Sequence, residues 1–146
     1  MKCVDVGCGN NKKSGFIGLD VYSYPDVDIV WDVRAGLPFK ENEVDKFYCS
    51  HFLEHLTGEE VIDCMCQFYQ CLKPGGTLEI IVPGVHDYGW YCDLGHKSFW
   101  GIESFKYFTG YSIGNFAYYK TFFKEAFKLL KLDIEGIAIH AILEKP

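Results

Sequence analysis

Short apolar runs cut by turn residues fill the first third of the chain. Cys3-Val4-Asp5-Val6 predicts a strand that runs into Gly7-Cys8-Gly9-Asn10-Asn11, a loop that no strand interior would hold. Residues 16–21 predict a second strand and 28–33 a third, each ending near an acid. Leu37-Pro38-Phe39 and the polar residues 40–43 read as a loop, and 44–49 as a fourth strand. The period then changes. Thr57 is placed to cap a helix, with Glu60 three residues on completing a capping box. Val61, Ile62, Met65, Phe68, Tyr69 and Leu72 follow helical spacing until Lys73-Pro74-Gly75-Gly76 stops it.

Residues 77–82 form a continuous apolar run of the kind buried on both faces of a sheet. Residues 84–100 read as a long aromatic loop and 103–108 as a short helix. Over 118–132 the spacing suits a helix, while a long twisted strand fits the same letters. Residues 137–143 predict a last strand. Strands that end in glycine or acid, then helix and strand, indicate an α/β sheet with its site at the carboxyl edge.

The chain has 146 residues, a length that suits one domain over 1–146 with a single core. Its net charge of −6 disfavours phosphate backbones, so nucleic acid is not the expected partner. Lys120, Lys124, Lys128 and Lys131 read as a solvated face. No apolar run reaches the ~20 residues of a membrane span. Seven cysteines at irregular spacing, with an acid where a signal peptide would have its apolar core, point to a reducing compartment and a cytoplasmic protein.

A strand ending in Gly-x-Gly lets the backbone approach a ligand closely. A dinucleotide fingerprint needs a third glycine and a helix to receive pyrophosphate. Here position 12 is Lys, and residues 10–15 leave that helix no room. S-adenosylmethionine (SAM) carries no phosphate, and carboxylates at strand ends suit it better. Asp20 could take both ribose hydroxyls, Asp32 could accept from the adenine amino group, and Asp5 could orient the loop or the cofactor's ammonium. Strand-end acids that merely cap loops are the plainer alternative for any one of them.

Asp5 to Asn10, Phe16 to Asp20, Asp32 with Leu37-Pro38-Phe39, Ser50-His51-Phe52-Leu53-Glu54-His55-Leu56 and Leu72 to Leu78 together resemble the class I SAM-dependent methyltransferases. The likeness covers residues 2–83. It implies a Rossmann-like, mostly parallel sheet with an antiparallel C-terminal strand. It also implies that Gly7, Cys8 and Gly9, followed by Asn10, pass under the methionine part of SAM. Asp20 beside Val21 would bind ribose, and Asp32 with Val33 would flank adenine. Backbone around Ser50 and His51, with His55 in the same segment, would hold the amino-acid end.

Two departures stand out. The helix that precedes the first strand in the family has no counterpart, and the helix between the first two strands is reduced to a loop. A sheet bare on part of one face would expose apolar surface and favour a homodimer. His51-Phe52-Leu53-Glu54-His55 also satisfies an H-x-x-E-H zinc motif, but that chemistry needs a helix, and here the motif follows a strand. No metal is therefore expected. Cys64, Cys66 and Cys71 read as core thiols and His140 as structural. For the chemistry itself, His86, Asp87 and His96 follow the fifth strand where a base would stand. The expected activity is methyl transfer to O or N of a small or medium acceptor, the alternative being an inactive SAM-binding or interaction module.

Overall fold

The computed structural model describes residues 1–85, 88–110 and 126–146. Seven strands, β1 (Cys3–Val6), β2 (Ile17–Asp20), β3 (Ile29–Val30), β4 (Val44–Ser50), β5 (Leu72–Pro83), β6 (Lys128–Glu135) and β7 (Ala138–Glu144), form one sheet in the order β3-β2-β1-β4-β5-β7-β6. The first five are parallel. β7 runs antiparallel between β5 and β6. The sheet thus has the mostly parallel, Rossmann-like form that the sequence implies. Its order reverses beside β1, and an α/β sheet places its ligand crevice at such a switch point.

Helix α1 (Gly58–Cys71) forms as its local sequence dictates. The Thr57 hydroxyl accepts from Glu60 N at 3.3 Å, and the Glu60 carboxylate accepts from Thr57 N at 2.8 Å. Val61, Cys64, Met65, Phe68 and Cys71 are buried at helical spacing. They lie on a sheet face made by Val4, Val6, Leu19, Phe47, Leu78, Ile80, Ile139 and Leu143. Phe47 and Phe68 meet at the centre, with ring centroids 4.8 Å apart. The helix stops at Cys71, earlier than the Lys73 to Gly76 signal suggests, because Leu72 already pairs with Val44.

Other crossovers are reduced, as anticipated. Residues 7–16 join β1 to β2 and 21–28 join β2 to β3 without a helix. The expected third strand at 28–33 shrinks to Ile29–Val30. Asp32 instead caps the 3-10 turn Val33–Ala35, accepting from Arg34 N. The aromatic loop contains a short helix α2 (Tyr88–Cys92), and 103–108 is a 3-10 helix, Ile102–Phe108. Of the ambiguous stretch 118–132, residues 118–125 lie outside the described residues, while 128–132 belong to β6. Lys120 and Lys124 are likewise outside them, and Lys128 is exposed.

Residues 77–82 form a strand covered on both faces, as read, but the second face is covered by ionic contacts. Leu78, Ile80 and Val82 point into the core, and Glu79 points to the opposite face. There its carboxylate, 8% exposed, meets Lys46 Nζ at 2.7 Å, Lys13 Nζ at 3.3 Å and His140 Nε2 at 3.2 Å. Glu135 accepts from Lys131 Nζ at 2.6 Å, and His140 Nδ1 lies 3.0 Å from Glu135 Oε1 and 3.1 Å from Lys131 Nζ. Lys13 Nζ also lies 3.8 Å from the Tyr48 ring centroid. Among the described residues, this face of the sheet carries an ion-pair network around Glu79. Burial pushes the Glu79 carboxyl up, but the hydrogen bond and charge of Lys46 and the charge of Lys13 outweigh it and hold it below the usual range.

Glu79→Leu leaves Lys13, Lys46 and His140 facing one another without their shared anion. The expected loss is about 1–2 kcal/mol, less than for a fully buried pair because both lysines are partly solvated. Urea unfolding at pH 7 measures it, and a variant as stable as the wild type would remove the network's structural role.

Candidate functional site

A cleft of about 490 Å³ opens at the carboxyl ends of β1, β2 and β4. Gly7, Gly9, Asp20, Val21, Asp32, Val33, His51 and His55 line it, together with Tyr22, Tyr24, Trp31, Arg34, Phe52, Gly95 and Lys97. Eight of the residues singled out from the sequence thus converge on one space.

The glycine loop is built by contacts that only glycine tolerates. Gly7 has φ +71°, and a Cβ there would fall 2.4 Å from the Phe52 ring. Gly9 has φ +51° and nothing within 4 Å of where its Cβ would be, so it faces open space. Leu19 O accepts from Gly7 N at 2.8 Å and from Cys8 N at 3.3 Å. Asp20, 9% exposed, clamps the loop from the other side. Its Oδ2 accepts from Gly9 N at 2.9 Å and its Oδ1 from Tyr22 N at 2.9 Å. Each oxygen keeps a further lone pair for a ligand hydroxyl.

Other expected residues support the loop without lining the cleft. Asp5 is buried, and its Oδ2 accepts from Lys13 N at 2.7 Å, which leaves it orienting the loop. Burial pushes its carboxyl above the usual value, more than Lys13 lowers it. The Cys8 thiol is buried and pushed up to about 11 by that burial, so it is not a thiolate at neutral pH. Asn10 is exposed and Ser50 ends β4, both outside the lining. Asp32 lines the cleft, but Arg34 grips its carboxylate through Nε at 2.9 Å and Nη2 at 2.7 Å. The side-chain hydrogen bond of Arg34 holds Asp32 below the usual carboxylate range.

After β4 the chain turns sharply. His51 adopts φ +53°, uncommon for a residue with a side chain, while His51 N donates to Ile81 O at 2.8 Å. The 3-10 turn Leu53–His55 follows and buries Glu54, 1% exposed, with no hydrogen bond to either carboxylate oxygen among the described residues. Burial pushes Glu54 up to about 7. His96 packs against His55, ring centroids 4.9 Å apart, and its Nδ1 donates to Trp90 O at 3.1 Å. His86 and Asp87 lie outside the described residues.

Sequence reading missed Tyr22, Tyr24, Trp31, Arg34, Phe52, Gly95 and Lys97. The first four sit beside the recognised acids, and proximity to Asp20 and Asp32 was the available signal. Gly95 and Lys97 come from a distant segment and carried none.

The cleft suits SAM. It offers a carboxylate for a diol, an open glycine loop for close approach, and aromatic rings for a base. The described residues beside the glycine loop form no helix that could receive phosphate.

Residues 20–80 match the family described as "Methyltransferase domain". No curated protein matches the chain significantly by sequence. Among solved structures, a SAM-dependent methyltransferase from Archaeoglobus fulgidus superposes with TM-score 0.71 at 16% identity, covering 99% of this chain and 86% of that one. One from Methanosarcina mazei gives 0.65 at 14%, covering 99% and 92%. A chain of the Haloferax volcanii complex containing the Trm112 methyltransferase activator gives 0.67 at 16%, covering 99% and 82%. At these identities the likeness is one of fold.

Residues 20–80 thus match a methyltransferase domain, and the sheet has the fold seen in solved SAM-dependent methyltransferases.

Two outcomes follow from this geometry. Gly7→Ala should lose about 2–4 kcal/mol, from the Phe52 clash and the positive φ together, read as a lower urea midpoint. Unchanged stability would show that Phe52 moves aside freely. For Glu54 the sign is that of a raised carboxyl. Its neutral form is favoured on folding, so stability present below pH ~4.5 is lost as pH rises towards about 7. Glu54→Gln, in buffers with a chelator, should therefore be more stable than wild type at pH 8 by about 1–3 kcal/mol and not at pH 4.5. An equal difference at both pH values would refute the burial of a charge at this position.

Proposed function

We propose that the protein, taken as one domain over 1–146, transfers the methyl group of SAM to an oxygen or nitrogen of a small or medium acceptor. The carrying observation is that Gly7, Gly9, Asp20, Val33 and His51 meet around one cleft at the sheet's switch point. When bound, SAM supplies a sulfonium-activated methyl group that needs little beyond an aligned lone pair.

The chain's own residues do the holding. In this reading Asp20 accepts from the ribose hydroxyls. Val33 and Trp31 lie against the adenine. The backbone of Gly7, Gly9 and His51 follows the amino-acid end. Asp32 contributes less than its position suggests, because Arg34 already occupies its carboxylate.

A second hollow of about 310 Å³ adjoins the cleft and shares Lys97 with it. Val61, Ile62, Phe99, Trp100, Tyr107 and Phe108 line it, with Ser98 and Ser104 as polar points. It suits an acceptor with an apolar or aromatic body. His86, Asp87 and His96 remain the candidate bases for a protonated acceptor. His96 has one nitrogen committed to Trp90 O, so only Nε2 would be available for that role. The match of residues 20–80 to a methyltransferase domain favours this reading over an inactive SAM-binding or interaction module.

Among the described residues no helix is long and apolar enough to cross a membrane. Cys3, Cys8, Cys49, Cys64, Cys71 and Cys92 are free thiols, Cys92 being exposed. That suits a reducing compartment, and the cytoplasm is the location we take.

Calorimetry with SAM tests the assignment. Asp20→Ala should weaken binding about 10–100-fold, roughly 1–3 kcal/mol, whereas Asp32→Asn should weaken it less than about threefold. Equal losses, or no binding by the wild type, would overturn the ribose assignment. Methyl transfer from labelled SAM to a panel of aromatic alcohols and amines then tests the activity itself.

A further inference from the structure

His51-Phe52-Leu53-Glu54-His55 folds into a tight turn, and this places its acid and its second histidine beside a third potential ligand from 40 residues further on. We propose that Glu54, His55 and His96 form a site for a single divalent transition-metal ion of the zinc type. One ligand atom from each lies within 4.8 Å of the others.

Two independent observations point to a cation there. The Glu54 carboxylate is 1% exposed and has no hydrogen bond to either oxygen among the described residues. His51 Nδ1 stands 3.4 Å from its Oε1. A buried carboxylate left without hydrogen bonds is costly, and a bound cation would offset that cost.

Each imidazole is also held by one outer hydrogen bond. His55 Nδ1 stands 3.3 Å from Gly95 O, and His96 Nδ1 stands 3.1 Å from Trp90 O. A carbonyl oxygen can only accept, so each Nδ1 carries a proton, and in the neutral ring Nε2 then keeps its lone pair. Metal-bound histidines are fixed in this way by their outer hydrogen bond.

Asp93 completes the surroundings. Its Oδ1 is held by Gly95 N at 2.7 Å, and its Oδ2 lies 3.6 Å from His96 Nε2, within reach as a fourth ligand. Two nitrogens with one or two carboxylates suit zinc, iron(II) or cobalt(II). Magnesium and calcium prefer all-oxygen sets. Bond lengths of about 2.0–2.2 Å require the ligand atoms to close in by roughly an ångström, which side-chain rotation supplies.

This differs from the H-x-x-E-H reading of the sequence, in which His51 and His55 would share the ion along a helix. Here His96 takes the place of His51. His55 and Gly95 line the cleft, so the ion would lie at its rim and would tie down the segment that carries Lys97.

Calorimetric titration of the chelator-treated full chain with zinc chloride, without SAM, tests the site separately from the cofactor assignment. We expect one ion per chain, with binding weakened at least tenfold by both His96→Ala and Glu54→Gln and unchanged by Cys92→Ser. Cobalt(II) should give visible bands of a nitrogen and oxygen site without thiolate charge transfer, which reads the wild type even if a variant misfolds. Absence of saturable zinc binding, binding unaffected by both substitutions, or thiolate bands would each overturn the proposal.

Discussion

The carboxylate of Asp20 organises the functional end of this molecule. It closes β2, takes the amide of Gly9 on one oxygen and that of Tyr22 on the other, and stands almost buried between two loops that have no helix to stiffen them. In a fuller α/β fold, helices fix the loops at the carboxyl edge. Here one side chain holds the loop after β1 against the strand beside it. The positive φ values of Gly7 and Gly9 can persist because Asp20 and Leu19 O hold the loop from both ends.

The core supports this arrangement from one side only. α1 closes the face carrying Phe47, Phe68 and the inward residues of β5, and gains its stability largely from that packing. The opposite face is kept by charge and by the cation over Tyr48. The sheet is asymmetric in its physics, apolar against the helix and ionic elsewhere. That asymmetry follows from the shortened crossovers.

Much of this was legible in the letters where the causes are local. The start of α1 follows from Thr57 and Glu60 and its buried face from the spacing of Val61 to Phe68, whereas its end at Cys71 is set by the pairing of Leu72 with Val44. The glycine loop and Asp20 were legible because a strand end, a tight turn and an acid leave marks a few residues apart. Asp32 was seen, yet its engagement by Arg34 was not, since an acid two residues from an arginine has several available geometries. Glu79 was absorbed into an apolar run because its partners come from the loop after β1, from β4 and from β7. The meeting of His55 with His96 was invisible for the same reason, as it depends on where the loop after β5 returns.

The ionic face has a further consequence. Apolar burial responds mainly to temperature and denaturant, whereas a lattice of lysines, glutamates and a histidine at the surface responds to the solvent's ions and acidity. A domain that closes one side of its sheet with such a lattice makes its cohesion depend on the composition of the surrounding fluid. β4 belongs to both: it carries Lys46 of that lattice and leads into the turn at His51 that lines the cleft, so the medium acts on a strand the site depends on.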